Sequence, residues 1–551
     1  MYPFLIDPRD GTIRRDSKGK RVMRRRSLLH AAASLPAAGL ARPAIGQAMR
    51  ERTLRFVPQA NLTSLDPIWT TAAVTENHGW AVFDTLFGLT DDLKTRPQMA
   101  EGHSVSDDRR TWLIRLRPGL RFHDGEPVRA QDCAASLARW SRRDTFGQSL
   151  GALVEAWEAA DDRTLRIRLK SPFPMLIDAL AKPAAVVPFI MPERIARTDP
   201  FQQVTEIIGS GPYRFVAGEY VSGSRAIYTK FEGYQPRQEA PSRTAGGKVA
   251  HVERVEWTII PDSATAAAAL QSGEIDWWEQ INADLTPLLR RARGVKVEIT
   301  NTLGYIGVAR FNHLHPPFDN PAIRRALLLA VNQDDYLRAV TGNDVEAFKL
   351  CPSMWPCGTP YESRTGAAPL EGRRDLDRAR AALREAGYKG EKVVIINPSD
   401  FPTIGPLGQV TADLLKRLGM NVELVETDWG SVVQRRASKE PPERGGWNIF
   451  HTWWPSISII NPAVNATLRG QGDRGWFGWY RNDRVEALAA EWLQAASEAE
   501  QKRLADAIQQ ESFAQVPVLP LGQFFIRTAY RDSLSGILKG NSPYFWNVRR
   551  G

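Results

Sequence analysis

Four blocks of turn, cap and packing residues, in fixed order along most of the chain, constrain its fold more than its composition does. They are Leu116 to Pro127 (LRPGLRFHDGEP), Ile208 to Tyr213 (IGSGPY), Ala269 to Asp276 (ALQSGEID) and Pro316 to Leu327 (PPFDNPAIRRAL). In the first, Pro118-Gly119 and Asp124-Gly125 are turn pairs. In the second, Gly209-Ser210-Gly211-Pro212 forces a sharp reversal before a strand. The third ends an Ala-rich helix at Gly273, a residue able to take the left-handed conformation after a helix. The fourth opens a helix with Asn320 as N-cap and Pro321 at the first helical position. None is a catalytic motif. Together they specify a scaffold.

Between these blocks the apolar spacing alternates between strand and helix periods, and the region from Leu54 to Lys170 reads as α+β in character. Strands are expected at Leu54 and Phe56, at Arg163 to Lys170, at Val255 to Pro261 and at Ile275 to Trp278. Residues 111–123 read as a hairpin around Pro118-Gly119, followed by a helix from about Ala130 to Arg143. Asp375 caps a helix that Gly387 ends. Strand Val393 to Ile396, helix Val410 to Leu418 and strand Val422 to Val425 form a βαβ unit. Helices are expected at 484–495 and 498–513, then a strand at Val516 to Leu521 and a buried terminal strand around Tyr544-Phe545-Trp546.

With Ala379 to Tyr388 as a fifth block, the order from about Leu65-Asp66-Pro67 to the C-terminal strands resembles the family-5 extracellular solute-binding proteins. These are the dipeptide/oligopeptide type that serve ABC importers. The resemblance implies a two-lobed periplasmic-binding-protein-like α/β fold (type II, the large class with an extra inserted domain). About 500 residues after an export segment exceed a single core and fit several domains. By the same resemblance, residues 51–83, 212–301 and 520–551 form the first lobe's core and 84–211 a small α+β domain inserted in it. Residues 302–519 form the second lobe. A solute would be engulfed between the lobes.

The N-terminus reads as an export signal over residues 1–48. Arg24-Arg25-Arg26-Ser27-Leu28-Leu29 precedes a short apolar run and a small-residue end at Ala48, where cleavage is expected. The paired arginines resemble the twin-arginine signal, and Met23 is a candidate start. This segment holds ten Lys/Arg against three Asp, a net of +7, out of +10 for the whole chain. The remainder is therefore only about +3, so the basic balance gives no support for nucleic-acid binding. Of three cysteines, Cys133 sits on an apolar helical face and reads as a small buried hydrophobe. Cys351 and Cys357 could close a short disulfide loop in an oxidising compartment, against which two intervening prolines restrict the approach.

The positional anomaly is 447–480, which holds five of the chain's 17 Trp. Trp447 to Thr452 reads as a strand and Trp453-Trp454-Pro455-Ser456 as the loop after it. Aromatic side chains suit a binding cleft because they give large, rigid apolar walls with polar edges. Trp453, Trp454, Ser456 and His451 are thus candidates for the cleft, with Trp476 and Trp479 read as packing. In the resembled family, peptide-binding members place an Asp three residues after the loop Trp, where it pairs with the solute's amino terminus. Here that position is Ile457, and no acid occurs between Trp447 and Gly472. A solute with a free amino terminus is therefore not expected. From family position, Thr70, Thr71, Asn77 and His78 are first-lobe rim candidates. Tyr305 and Asn312 enter the second lobe, and Arg469 and Arg474 could grip a carboxylate.

No Gly-x-Ser-x-Gly elbow, His-Glu-x-x-His or P-loop is read from the sequence, and the Pro after Gly209-Ser210-Gly211 favours a turn over a nucleophile. His313 and His315 would share a strand face, but no metal and no cofactor are expected. The sequence thus points to a periplasmic, non-enzymatic, monomeric receptor that passes a small-molecule solute to an ABC permease in the inner membrane. A periplasmic hydrolase and a transporter-independent sensor are the other classes such a scaffold could serve.

Overall fold

The computed structural model describes residues 52–372 and 374–551; the expected export signal and its cleavage site lie outside them. Two mixed sheets organise these residues. The first has seven strands, with Thr53–Val57 running parallel to both Arg254–Thr258 and Trp277–Trp278. Helix Ser263–Ser272 provides the crossover that two parallel strands require. Its start is fixed by Asp262, whose carboxylate accepts from the Thr265 N–H at 2.7 Å, and its end by Gly273 at φ 76°. The sheet face is aromatic: Phe56 meets Trp257, Trp277 and Phe545 with ring centroids 5.1–5.5 Å apart.

The second sheet has six strands. Tyr305–Phe311, buried along its whole length, pairs antiparallel with both Ile449–Pro455 and Val518–Phe524. Strands Lys392–Pro398 and Asn421–Thr427 pair in parallel around helix Gly405–Arg417, the expected βαβ unit. Asn320 and Asp375 cap helices Pro321–Leu328 and Leu376–Glu385 through their side chains, as read from sequence. A separate four-stranded antiparallel sheet (100–105, 111–116, 164–169, 154–161) is accompanied by helices Ala130–Trp140 and Thr145–Leu153. The fold is α/β and two-lobed.

Several local expectations need correction. Strand Thr111–Leu116 pairs with Ala100–Val105 and Thr164–Leu169, whereas 120–122 makes only an isolated bridge from Arg121 to Pro127. The Pro118-Gly119 turn therefore leads out of the sheet. Trp453 and Trp454 belong to the strand, which begins at Ile449 and runs to Pro455, because the neighbouring Tyr305–Phe311 strand supplies partners that far. Tyr544, Phe545 and Trp546 are buried but not a strand; Tyr544 stacks on Trp546 at 4.8 Å. The chain crosses between sheets from Glu298 to Tyr305 and returns between Phe524 and Thr528. The return thus lies beyond the 519/520 boundary inferred from sequence.

Buried ions tie the parts together. Asp66, in the Leu-Asp-Pro turn, accepts both Arg139 amines at 3.2 and 2.7 Å and the N–H groups of Ile68 and Val204. Lys248 pairs with Asp84 at 2.7 Å, and Tyr234 donates to the same carboxylate. Cys351 and Cys357 form a disulfide, and Cys133 is a buried thiol. No helix among the described residues is long and apolar enough to cross a membrane.

Candidate functional site: the cleft between the two sheets

Two neighbouring cavities lie between the sheets. The first, a cavity of about 20 Å³, draws its lining from both sides. Gln59, Thr71, Ala73 and Glu76 come from the first lobe, and Trp429, Arg436, Trp453, Trp454, Ser458 and Trp476 from the second. A second cavity, also of about 20 Å³, is lined by Glu279, Gln280, Tyr305, Asn541 and Ser542 among others.

Strand register aims the second-lobe wall. Tyr305 lies opposite Pro455, Ile306 opposite Trp454 and Gly307 opposite Trp453. The Tyr305 ring meets Trp453 edge-on at 4.6 Å, and Trp454 meets Trp476 edge-on at 5.1 Å. Helix Trp429–Arg435, capped by Asp428, delivers Trp429 at one end and Arg436 just past the other. The lobes touch through a polar chain: the Trp453 indole N–H donates to Thr403 Oγ1 at 3.0 Å. Thr403 in turn donates to Gln280 Oε1 at 3.3 Å, and Gln280 bonds Gln59. Arg436 Nη2 also donates across to Thr70 Oγ1 at 3.2 Å.

Charge in this cleft is unbalanced locally. Arg436 is 1% exposed, lies over the rings of Trp429, Phe450 and Phe477, and has no carboxylate partner among the described residues. Burial pulls its guanidinium down to about 9. Its Nε, the indole N–H groups of Trp454 and Trp476 and the hydroxyl of Ser458 have no partner among the described residues. On the opposite side, helix Ala73–Val82 presents Glu76, whose carboxylate accepts from the Ala185 N–H, Asn541 and Ser542. Burial raises it to about 7. Glu279 accepts from the Gln59 N–H and Asn77 and is likewise raised to about 7 by burial.

The candidates read from sequence therefore divide. Thr71, Trp453, Trp454 and Tyr305 line the two cavities, Thr70 holds Arg436, and Asn77 holds Glu279. The others lie elsewhere. His78 points into the first lobe's core, bonded to the Tyr228 hydroxyl at 2.9 Å, and burial lowers it to about 3. His451 faces helix Gly405–Arg417, bonding Thr411 at 2.7 Å, also lowered to about 3 by burial. Asn312 ties its own turn to the Trp447 carbonyl. Ser456 is buried beside the lining, its N–H on the Gly304 carbonyl. Arg469 forms an ion pair with Glu486 at 2.6 Å and reaches Ser149, while Arg474 is exposed. Trp476, read as packing, lines the cavity instead. The sequence reading also passed over Gly147-Gln148-Ser149-Leu150-Gly151, which matches the hydrolase pentapeptide. It lies inside helix Thr145–Leu153, with the Ser149 hydroxyl on the Thr145 carbonyl, not at a strand-to-helix elbow.

Glu76, Glu279, Arg436 and Trp429 were missed. Glu76 adjoins the rim candidates Asn77 and His78 in the sequence, which is the one local signal that pointed near it. The others have no local signal, because the residues that surround them are distant in sequence. Ile457 does stand at the loop position, yet two carboxylates reach the cavities from the first lobe.

Residues 94–475 match the family model for bacterial extracellular solute-binding proteins, family 5. The chain belongs to that family. It is 38% identical over 94% of its length, and 97% of the relative's, to a probable peptide ABC transporter periplasmic-binding protein, y4tO, of Sinorhizobium fredii. To a glutathione-binding protein GsiB of Pectobacterium atrosepticum it is 27% identical, covering 87% and 90%. Among solved structures, AgaA of A. tumefaciens R10 with agropinic acid aligns at a TM-score of 0.76 and 19% identity, covering 91% of this chain and 99% of that one. A dipeptide-binding protein of Pseudoalteromonas with Met-Leu aligns at 0.74 and 20%, covering 91% and 100%. The two structures share the fold. The chain is the exported, substrate-binding component of an ABC importer, and proteins of this family deliver small solutes to the permease.

Proposed function

We propose that the protein works in the periplasm as a monomeric receptor for a short peptide-like solute, which it passes unaltered to the inner-membrane permease. The observation that carries this reading is the cavity itself, walled by Trp429, Trp453, Trp454 and Trp476 on one side and by Thr71 and Glu76 on the other. Flat aromatic walls accept varied side chains, while a few fixed polar groups hold a backbone. Both expected cleft histidines are turned into the lobes and bonded there, which leaves neither available as an imidazole base at the cavity wall. The relative named for peptide transport covers nearly the whole chain, which supports the same class of solute. Closure is a hinge motion about the two crossings, driven by the solute's greater affinity for the closed state.

The test is native mass spectrometry of the exported protein, followed by denaturation and identification of what is released. Species of di- to tetrapeptide mass are expected. Release of a species that is not peptide-like would refute the reading.

A further inference from the structure

The orphan donors of the cleft are not scattered. Arg436 Nε, the indole N–H groups of Trp454 and Trp476, and the Ser458 hydroxyl all sit on the second-lobe lining of one cavity, without a partner among the described residues. A buried donor left unpaired costs about 1–3 kcal/mol and a charged one more. Four together on one wall call for an acceptor-rich group, and the guanidinium calls for an anionic one. The opposite wall has the complementary composition. Glu76 and, at the adjoining cavity, Glu279 present carboxylates, and the Asn77 Oδ1 behind them is a buried acceptor without a donor among the described residues. Glu76 and Arg436 line the same cavity, yet the Glu76 carboxylate is bonded to Ala185, Asn541 and Ser542 and Arg436 to Thr70, not to each other. Opposite charges held apart on two walls, in a medium of low polarity, favour a guest with a separated anion and cation.

We propose that the solute lies across the cleft with its carboxylate on the second lobe, at Arg436, Trp454, Ser458 and Trp476, and its amino group on the first lobe, at Glu76. This polarity is the reverse of that implied by a loop carboxylate at position 457, which is Ile here. It rests on the peptide reading above and adds to it a direction of binding. The solute as a whole then bridges the lobes, one charged end on each, so each charge contributes to closure. Trimming either end should weaken binding and leave the lobes further open.

The experiment uses the full exported chain and a defined panel: Met-Leu, glutathione, and the C-terminal amide and N-acetyl form of each. Affinities are measured by calorimetry for the unaltered protein and for Arg436→Gln, Arg436→Lys and Glu76→Gln. For the peptide that binds, amidation and acetylation should each cost roughly 100-fold in the unaltered protein, as leaving a buried charge unpaired does. Amidation should cost little more in Arg436→Gln, and acetylation little more in Glu76→Gln, with Arg436→Lys recovering part of the loss. If amidation is instead coupled to Glu76 and acetylation to Arg436, or neither end is coupled to either residue, the polarity is overturned while the peptide reading stands. If no panel peptide binds in any form, the same arms are run on the species released in native mass spectrometry; a released species that is not peptide-like overturns the peptide reading and the polarity with it. Should a variant not fold, the amide and acetyl arms on the unaltered protein still decide whether both ends are held.

Discussion

Replacing Glu76 by Gln should change how the stability of the solute-free protein depends on pH. The Glu76 carboxyl is 5% exposed, and burial raises it from 4.5 to about 7. Between these values the folded protein keeps a proton that the unfolded chain has lost. Unfolding then releases a proton, so stability falls as pH rises from about 4.5 to 7, and the full penalty is present above 7. At about 1.4 kcal/mol per pH unit, the interval corresponds to about 3 kcal/mol. Lys182, the cation that bears on Glu76, is itself paired with Asp144 and offsets only part of this. The glutamine side chain of the Glu76→Gln variant is neutral throughout. Its amide must face one of the donors Ala185 N–H, Asn541 and Ser542, a cost that does not vary with pH. The readout is therefore the difference between variant and parent, measured by urea unfolding at pH 4.5 and pH 8. That difference should move in the variant's favour by about 3 kcal/mol across the interval. Buried His78 and His451 act in the opposite direction at lower pH but cancel in the comparison. Parallel pH profiles for the two proteins would refute the argument that an ionised Glu76 is a liability without solute.

Three further outcomes are expected. Asp66→Ala leaves the Arg139 guanidinium buried without its carboxylate, and should cost about 3–5 kcal/mol in urea unfolding; a loss below about 1 kcal/mol would show that the pair is replaceable. A Cβ at Gly430, on the second lobe, would come within 2.8 Å of Thr63 Cγ2 on the first. Gly430→Leu should hold the lobes apart, raising the radius of gyration in small-angle scattering and weakening peptide binding about 10-fold; a variant as compact as the parent would place the closing contact elsewhere. Trp453→Ala removes the Tyr305 ring contact and the donor to Thr403, and should cost at least about 10-fold in affinity for the panel peptide that binds. Unchanged affinity would remove Trp453 from the site.

Local chemistry was the legible part. Asn320, Asp375 and Gly273 announced helix boundaries that the backbone keeps, because a cap acts within a few residues of itself. The βαβ unit was legible for the same reason: its apolar periods are continuous and its neighbours adjacent in sequence. The 120–122 segment misled because its alternation satisfies a strand pattern, but the sheet edge was already occupied by Thr164–Leu169. The Trp453-Trp454 loop misled because Pro455 suggested an earlier break, whereas the strand ends only where Tyr305 ceases to offer a partner. Among site candidates, composition singled out Trp453 and Trp454, which line the cavity between the sheets. His78 and His451 were misplaced because a polar residue near a rim and one in a core look alike until the helix or strand face is known.

By itself, then, the sequence determined the order of elements, the scaffold to which they belong and the aromatic character of one wall. All of these follow from interactions between residues close along the chain, or from blocks whose order resembles that of a known family. Only tertiary structure decided which charges meet in the cleft. Glu76, Glu279 and Arg436 acquire their properties from burial among residues up to several hundred positions away. No pattern along the chain encodes the absence of a counter-ion, which is a fact about three-dimensional surroundings alone.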